Sequence, residues 1–137
     1  MKTRILLLIL ILLASVAVWY GLQFKSGTAV SSIACADITR GCGNQELEVR
    51  FDRVPQVMKP FRLDLAAADA VEAYASFGMQ GMEMGLNRYR LLKQPDGSWR
   101  ANVTLPVCVR GRSDWMLELE IEKTGNRQRY QIPFSAN

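Results

Sequence analysis

The sequence predicts an all-β protein: an immunoglobulin-like antiparallel β-sandwich of about seven strands, preceded by one N-terminal transmembrane helix. Two observations support this prediction. Residues 5–24 contain no charged side chain, and the chain beyond residue 46 repeatedly alternates apolar with polar residues. About twenty mostly apolar residues match the roughly 30 Å hydrocarbon core of a bilayer, whereas alternation along the chain is typical of strands that bury one face.

The apolar N-terminal segment is predicted to be an uncleaved membrane anchor. A cleaved signal peptide is the competing interpretation, because Lys2 and Arg4 form the basic start that both kinds of segment share. Cleavage needs small residues at the end of the apolar run, but Trp19 and Tyr20 stand there, and such aromatic residues favour a membrane interface. The basic start then lies in the cytoplasm, which predicts a single-pass inner-membrane protein whose C-terminal domain is periplasmic.

Composition divides the chain into four segments. Residues 1–4 are the cytoplasmic N-terminus, and residues 5–24 are the transmembrane helix. Residues 25–32 are mostly small and polar, which is typical of a short linker. Residues 33–137 form the predicted periplasmic domain, whose size of about 100 residues suits one sandwich.

Seven segments of this domain alternate apolar with polar side chains. Each has one apolar face to bury, and two facing sheets satisfy that requirement. In chain order, the predicted apolar faces are Leu47/Val49/Phe51, Phe61/Leu63/Leu65, Val71/Ala73/Ala75/Phe77, Tyr89/Leu91, Trp99/Ala101/Val103/Leu105, Trp115/Leu117/Leu119/Ile121 and Tyr130/Ile132/Phe134. The alanine-rich stretch 66–70 is equally compatible with a helix.

Turn residues separate several of these strands. The Pro-Asp-Gly sequence at 95–97 is a strong turn signal, and the Thr-Gly-Asn sequence at 124–126 suits a tight hairpin. Trp99 and Trp115 each begin a predicted apolar face. We expect both tryptophans to anchor the core.

The charge pattern does not favour nucleic acid binding, and the residue composition does not favour enzymatic activity. Setting aside Lys2 and Arg4 leaves 15 basic and 13 acidic residues, a net charge of +2, with no block of consecutive basic residues. The chain has no histidine, and so it lacks the usual general base near pH 7 and the Ser-His or Cys-His nucleophile pairs. Nucleic acid is therefore not an expected partner, and we expect no enzymatic activity.

Three cysteines lie in the segment predicted to be exported: Cys35, Cys42 and Cys108. In an oxidising compartment, one pair is expected to form a disulfide and one thiol is left over. The sequence leaves all three pairings open. The spacing between Cys35 and Cys42 is wider than that of a CxxC metal clip, which favours a structural disulfide over a metal site.

The most distinctive segment is Met-Gln-Gly-Met-Glu-Met-Gly at 79–85. Thioether sulfur is a soft, uncharged ligand that suits Cu(I), so Met79, Met82 and Met84 are the candidate metal ligands. Strict alternation places Met79 on the face opposite the other two, whereas positive φ or a bulge at Gly81 brings all three to one side. Methionine also fills gaps in hydrophobic cores. The alternative is that these side chains plug the end of the sandwich.

The methionine segment also belongs to a longer pattern. It is followed by Gly-Ser-Trp at 97–99, Leu-Pro-Val-Cys at 105–108 and Trp-Met-Leu-Glu-Leu at 115–119. Over roughly residues 57–122, this pattern resembles the YtkA-like and FixH-type membrane-anchored periplasmic domains. The resemblance implies copper handling and cytochrome oxidase assembly in bacteria. Copper-binding relatives often add histidine to methionine, and so for this chain the resemblance implies an all-sulfur Cu(I) site.

Two functions follow as hypotheses. The first is a membrane-anchored periplasmic protein that binds Cu(I) through Met79, Met82 and Met84 for copper delivery or cytochrome oxidase assembly. Its expected partner is a membrane-embedded oxidase or a copper chaperone. The second is a metal-free, membrane-tethered interaction module, in which the methionines form an adaptable apolar contact surface.

Overall fold

Alternating side chains give each strand one apolar face, and two sheets close over these faces. The computed structural model describes residues 4, 10–16, 19, 30–79, 81–82, 87–107 and 111–137. Within these residues, ten strands form two five-stranded sheets, which confirms an all-β sandwich. The strands are β1 (Val30–Ser32), β2 (Cys42–Gly43), β3 (Leu47–Phe51), β4 (Pro60–Ala67), β5 (Ala70–Gly78), β6 (Arg88–Arg90), β7 (Leu92–Lys93), β8 (Trp99–Thr104), β9 (Asp114–Lys123) and β10 (Asn126–Ser135).

Each sheet draws strands from both halves of the domain. The first sheet has the order β1-β10-β9-β5-β6, and the second has the order β2-β3-β4-β8-β7. In the described strands, β1 pairs with β10 in parallel, and the remaining pairings are antiparallel. The chain crosses between the sheets at buried Leu91, which separates β6 from β7.

Each of the seven segments predicted from alternation coincides with a strand. In β9, for example, Leu117 and Leu119 are fully buried while the intervening Glu118 is partly exposed. Trp99 and Trp115 both lie in the core, as expected. The structure adds β1, β2 and β7 at the sheet edges, and each of these strands is only two or three residues long. Alternation cannot be recognised in segments that short.

One expectation about residues 66–71 is wrong, and the structure decides one alternative that the sequence left open. Val71 was expected on the apolar face, but its side chain is 53% exposed and Ala70 is buried instead. The pairing between β5 and β9 shifts register between Ala70 and Glu72, and this bulge turns Val71 outward. The helix that the alanine-rich stretch allowed is replaced by two strands joined by a turn at 68–69, where Asp69 has a φ of 57°.

Most of the predicted membrane anchor lies outside the described residues. These undescribed positions are 5–9, 17–18 and 20–24 of the anchor, together with 25–29 of the linker. Among the residues that are described, no helix is long and apolar enough to cross a membrane.

One end of the sandwich, which we call the methionine end, gathers four connections of the chain. It is the end at which β3, β5, β8 and β10 finish and β4, β6 and β9 begin. Backbone hydrogen bonds link its connections: Met58 N–H donates to the Leu105 carbonyl at 2.9 Å, and Asn137 N–H donates to the Pro55 carbonyl at 3.0 Å. The connections at this end are residues 33–41, 52–59, 79–87 and 105–113.

Aromatic side chains fill the core beneath the methionine end. The Phe51 ring lies 4.7 Å from Phe61 and 5.3 Å from Phe134, centroid to centroid. Trp115 stacks on Phe134 with an interplanar angle of 27°, and Phe77 meets Phe134 edge to face. These contacts join both sheets into one hydrophobic core.

A carboxylate on the outer face of the first sheet organises a small ion-pair network. The Glu120 side chain is only 15% exposed, and three arginines surround it. They are Arg88, Arg127 and Arg129, with N···O distances of 3.2, 3.6 and 3.3 Å. Replacing Glu120 with glutamine should lower the free energy of unfolding by about 1 kcal/mol, because a network of several charges is worth more than one exposed pair.

Urea denaturation in low salt and in 1 M salt checks this prediction, since salt screens the network. Glu122→Gln is the matched control, because the Glu122 side chain is 42% exposed and pairs with Arg127 alone among the described residues. We expect the control to change stability by less than about 0.5 kcal/mol. A Glu120→Gln cost that does not shrink in high salt contradicts an electrostatic origin.

A tyrosine–carboxylate contact ties β10 to the connection that precedes β3. The Tyr130 hydroxyl donates to Glu46 Oε2 at 3.0 Å, and the same oxygen accepts a hydrogen bond from Gln128 at 3.1 Å. Burial raises the pKa of Tyr130 to about 12, and the hydrogen bond to Glu46 acts in the same direction. The folded protein therefore holds this phenolic proton more tightly than the unfolded chain does.

This raised pKa predicts a loss of stability at alkaline pH. The unfolded chain loses the Tyr130 proton near pH 10, so stability falls as the pH rises from about 10 to 12. We expect a loss on the order of 1 kcal/mol between pH 9 and 11. Tyr130→Phe should be less stable at pH 9 but lose less over the same interval, as measured by urea midpoints. If the wild-type and Tyr130→Phe proteins lose equal stability between pH 9 and 11, ionisation of Tyr130 is not the cause of the loss.

Candidate functional site

Two of the three predicted ligands lie on either side of a chain reversal at the methionine end. Met79 follows β5 directly, and Met82 N–H donates to the Met79 carbonyl at 3.1 Å. The two residues also form an isolated antiparallel bridge. Gly81 has a φ of 74°, which glycine adopts without steric cost. The third candidate, Met84, lies outside the described residues.

The two methionines differ in burial. Met79 is 4% exposed and belongs to the hydrophobic core, whereas Met82 is partly buried and packs against that core. Met79 therefore fills space in the folded domain, as the packing interpretation expects of a methionine at the end of a sandwich. Met79 is also one of the residues that line a cavity at this end.

That cavity introduces a methionine which sequence reasoning did not identify. Met116 lies opposite Gly78 in the pairing of β5 with β9, and Met79 is the next residue after Gly78. Met79 and Met116 line the same cavity of about 360 Å³. The full lining is Ser76, Phe77, Gly78, Met79, Met116, Glu118 and Gln131. Met116 occupies an outward position beside the buried Trp115, opposite Gly78 on the outer face of the sheet, whereas the Met79 side chain belongs to the core.

A fourth methionine also belongs to this end. Met58 lies in the connection between β3 and β4, with a φ of 61° and a side chain that is 65% exposed. The sequence contains five methionines after Met1, and four of them are at the methionine end: Met58, Met79, Met82 and Met116. The turns at the opposite end of the sandwich contain no methionine. The methionines that the structure describes are thus concentrated at the methionine end of the domain.

A disulfide joins Cys35 to Cys42, with a Cα–Cα distance of 5.4 Å. The sequence left this pairing open, and the expectation that one pair forms a structural disulfide is confirmed. The bond closes the crossover between β1 of the first sheet and β2 of the second. It also removes both cysteines as thiolate ligands. Cys108 lies outside the described residues.

A second cavity, of about 400 Å³, lies between this crossover and the ends of β9 and β10. Asp37 and Asp114 are its carboxylates. Hydrogen bonds from Thr39 lower the pKa of Asp37, and a hydrogen bond from Arg112 lowers the pKa of Asp114. Two carboxylates that are both held ionised do not form an acid–base pair.

Hard metal ligands are not grouped in the part of the chain that the structure describes. No cluster of three or more histidine, cysteine, aspartate or glutamate residues that could hold a metal ion occurs there.

The fold and this site define a class of domain: a β-sandwich with one sulfur-rich end. No protein-family model matches the chain, and no match is found among curated proteins.

Proposed function

We propose that the chain is a membrane-anchored periplasmic protein with an immunoglobulin-like domain that binds Cu(I) through methionine. The strand order supports the immunoglobulin-like part. The row β3-β4-β8-β7 faces the row β10-β9-β5-β6, which corresponds to the A-B-E-D and G-F-C-C′ arrangement of such sandwiches. The short β1 strand adds to the edge of β10 in parallel.

The observation that supports copper binding most directly is the grouping of sulfur at one end. A backbone hydrogen bond joins Met82 to Met79 across the reversal at Gly81, and Met116 lies opposite Gly78, the residue before Met79. Thioethers bind Cu(I) because the ion is soft, and they discriminate against Mg²⁺ and Ca²⁺, which prefer oxygen. The chain has no histidine to favour Cu(II). We infer a binding protein rather than an enzyme.

Location and biological role belong to the same proposal. The uncharged segment 5–24 supports a membrane anchor, and the Cys35–Cys42 disulfide supports an oxidising compartment such as the periplasm. A tethered domain that holds a weakly hydrated monovalent ion suits copper delivery or cytochrome oxidase assembly. The partner is then a membrane-embedded oxidase or a copper chaperone.

A competition titration tests the proposed function. The full chain in detergent is titrated with Cu(I) against a chromophoric Cu(I) chelator, with ascorbate present. We expect the triple variant Met79→Leu, Met82→Leu, Met84→Leu to bind at least about tenfold more weakly, a loss of about 1.4 kcal/mol or more. Met58→Leu is the matched control and should retain the wild-type affinity. Equal affinity of the wild-type and triple-variant proteins would refute the proposal.

A metal-free interaction module is the second candidate function. Three apolar side chains project from connections at the methionine end: Val54 is 54% exposed, Met58 is 65% exposed and Val107 is 59% exposed. Exposed apolar side chains close together are typical of contact surfaces. Under this alternative, crosslinking followed by co-purification recovers the same partner whether or not copper has been removed. Loss of the partner on copper removal would favour the first proposal instead.

A further inference from the structure

We propose that the methionine end points away from the membrane and docks a soluble exported protein, which exchanges Cu(I) with the chain on its aqueous side. This inference rests on the proposed function, because it takes residues 5–24 as the membrane anchor and the methionine end as the copper-binding end. Of the two kinds of partner in that proposal, it selects a soluble copper carrier over a membrane-embedded oxidase.

The direction of β1 determines the side from which the chain enters the domain. β1 runs parallel to β10, with Val30 beside Arg129 and Ser32 beside Gln131. Because β10 finishes at the methionine end, β1 also runs toward that end. The chain therefore enters β1 from the side of the opposite end, which we call the turn end. The turn end consists of the connections 44–46, 68–69, 94–98 and 124–125.

The linker is too short to bring the methionine end down to the membrane. Phe24, the last residue of the proposed anchor, lies six residues before Val30, and even a fully extended chain of that length spans only about 20 Å. The headgroup layer occupies about 5 to 8 Å of this reach. Ser135 lies six residues beyond Arg129, the partner of Val30, and so the methionine end is about 20 Å from Val30. The reach that remains is shorter than this distance.

The turn end is the part of the domain that the linker holds near the bilayer. Asn126, where β10 begins, lies three residues before Arg129, and so the turn end is about 10 Å from Val30. The methionine end then lies about 30 Å farther from the membrane, which is the length of β10.

The surfaces of the two ends agree with this orientation. The four connections of the turn end contain no aromatic residue and no aliphatic residue larger than alanine or proline. At the methionine end, by contrast, Val54, Met58 and Val107 are 54%, 65% and 59% exposed. Exposed apolar side chains that lie close together are typical of protein contact surfaces. Since the linker keeps these side chains from the bilayer, their occupant is a protein that arrives from the aqueous side.

The chemistry of the exchange defines what that protein must carry. Cu(I) passes from the thioethers of this chain to soft donors of the partner, and its charge and oxidation state do not change. The partner therefore needs its own sulfur ligands, together with an apolar surface that fits against the methionine end.

Energy transfer to the membrane surface tests the orientation. The full chain is placed in phosphatidylcholine nanodiscs that contain a little lipid with an acceptor dye on its headgroup. A donor dye is attached to Thr124→Cys at the turn end or to Val54→Cys at the methionine end. Each variant also carries Cys108→Ser, so that the introduced thiol is the only cysteine outside the Cys35–Cys42 disulfide.

We expect strong transfer from position 124 and weak transfer from position 54, because their heights above the bilayer differ by about the length of β10. A second pair, Gln45→Cys and Val107→Cys, repeats the comparison with other exposed side chains and should give the same result. Equal transfer from both ends, or stronger transfer from the methionine end, would overturn the orientation.

A copper-transfer measurement tests the side of exchange. The Cu(I)-loaded chain in nanodiscs meets a Cu(I) chelator that is attached either to soluble dextran or directly to lipid headgroups of the same disc. Rates are compared where they rise with chelator concentration, so that the chelator takes part in the rate-limiting step. We expect transfer to the dextran-bound chelator to be several times faster. Faster transfer to the lipid-bound chelator, or equal rates, would overturn exchange on the aqueous side.

The outcomes separate this inference from the proposed function. Energy transfer needs no copper, so it decides the orientation even if the chain does not bind Cu(I), an outcome that would refute only the proposed function and the exchange. If the chain binds Cu(I) and both ends give equal energy transfer, copper binding stands and the orientation is wrong. A chain that does not enter nanodiscs refutes the anchor, and the orientation with it.

Discussion

Replacing Met79 with alanine is expected to lower the free energy of unfolding by about 2 to 5 kcal/mol, whereas Met79→Leu should cost less than about 1.5 kcal/mol. The side chain is 4% exposed and belongs to the core that contains Phe77 and Trp115. Alanine leaves a cavity that the surrounding aromatic rings cannot close, but leucine keeps most of the volume. Urea denaturation of metal-free protein measures both costs.

The comparison separates packing from metal binding at one position. Met79→Leu retains the volume and removes the sulfur, so it should fold nearly as well as wild type and bind Cu(I) more weakly. Met58→Ala is the control for stability, because its side chain is 65% exposed and should contribute less than about 0.5 kcal/mol. A Met79→Ala cost as small as that of Met58→Ala would contradict the core position of Met79.

Alternation in the sequence was sufficient to predict the architecture of the domain. A strand such as β9 needs one buried face, and seven such strands require two sheets. The alternating pattern could not predict the order of the strands in each sheet or the register between them, because both depend on which strands pair. The outward turn of Val71 shows the same limit: a bulge at Ala70 shifts register without any change in composition.

The candidate site was predictable only in part, for a related reason. The methionines at 79 and 82 stand out as neighbours in the chain, and the glycine between them does adopt positive φ. Met116 lies more than thirty residues away in sequence, and only the strand register places it opposite Gly78, the residue before Met79. The pairing of Cys35 with Cys42 likewise had two alternatives in the sequence. The sequence was sufficient to predict which neighbouring residues share a chemical property. It was not sufficient to predict which distant segments lie close together in the fold.

The surroundings of Glu118 could not be predicted from its position in the sequence. In the sequence, Glu118, Glu120 and Glu122 form one evenly spaced row, which indicates a solvated face. The structure distinguishes them: arginines surround Glu120, while Glu118 has no ion-pair partner among the described residues and lines the cavity beside Met116. Identical residues at identical spacing thus have different electrostatic surroundings.

Removing the Cys35–Cys42 disulfide in a double serine variant is expected to lower the free energy of unfolding by about 2.5 kcal/mol. The bond joins residues separated by 7 positions, and the chain-entropy relation for a loop of that length gives roughly this cost. The double variant leaves Cys108 without a second cysteine in the chain, which prevents an exchanged disulfide within the molecule. Urea denaturation in the absence of reductant provides the measurement, with reduced wild-type protein as the matched comparison.

Copper binding should respond differently to the same variant. Neither cysteine is among the proposed methionine ligands, so the affinity for Cu(I) should stay within about twofold of wild type wherever the variant is folded. The variant thereby separates stability from affinity, since the disulfide holds the crossover between the two sheets and the proposed copper ligands are methionines elsewhere. A large loss of affinity in the folded double variant would place the crossover within the copper site and contradict a site made of methionine alone.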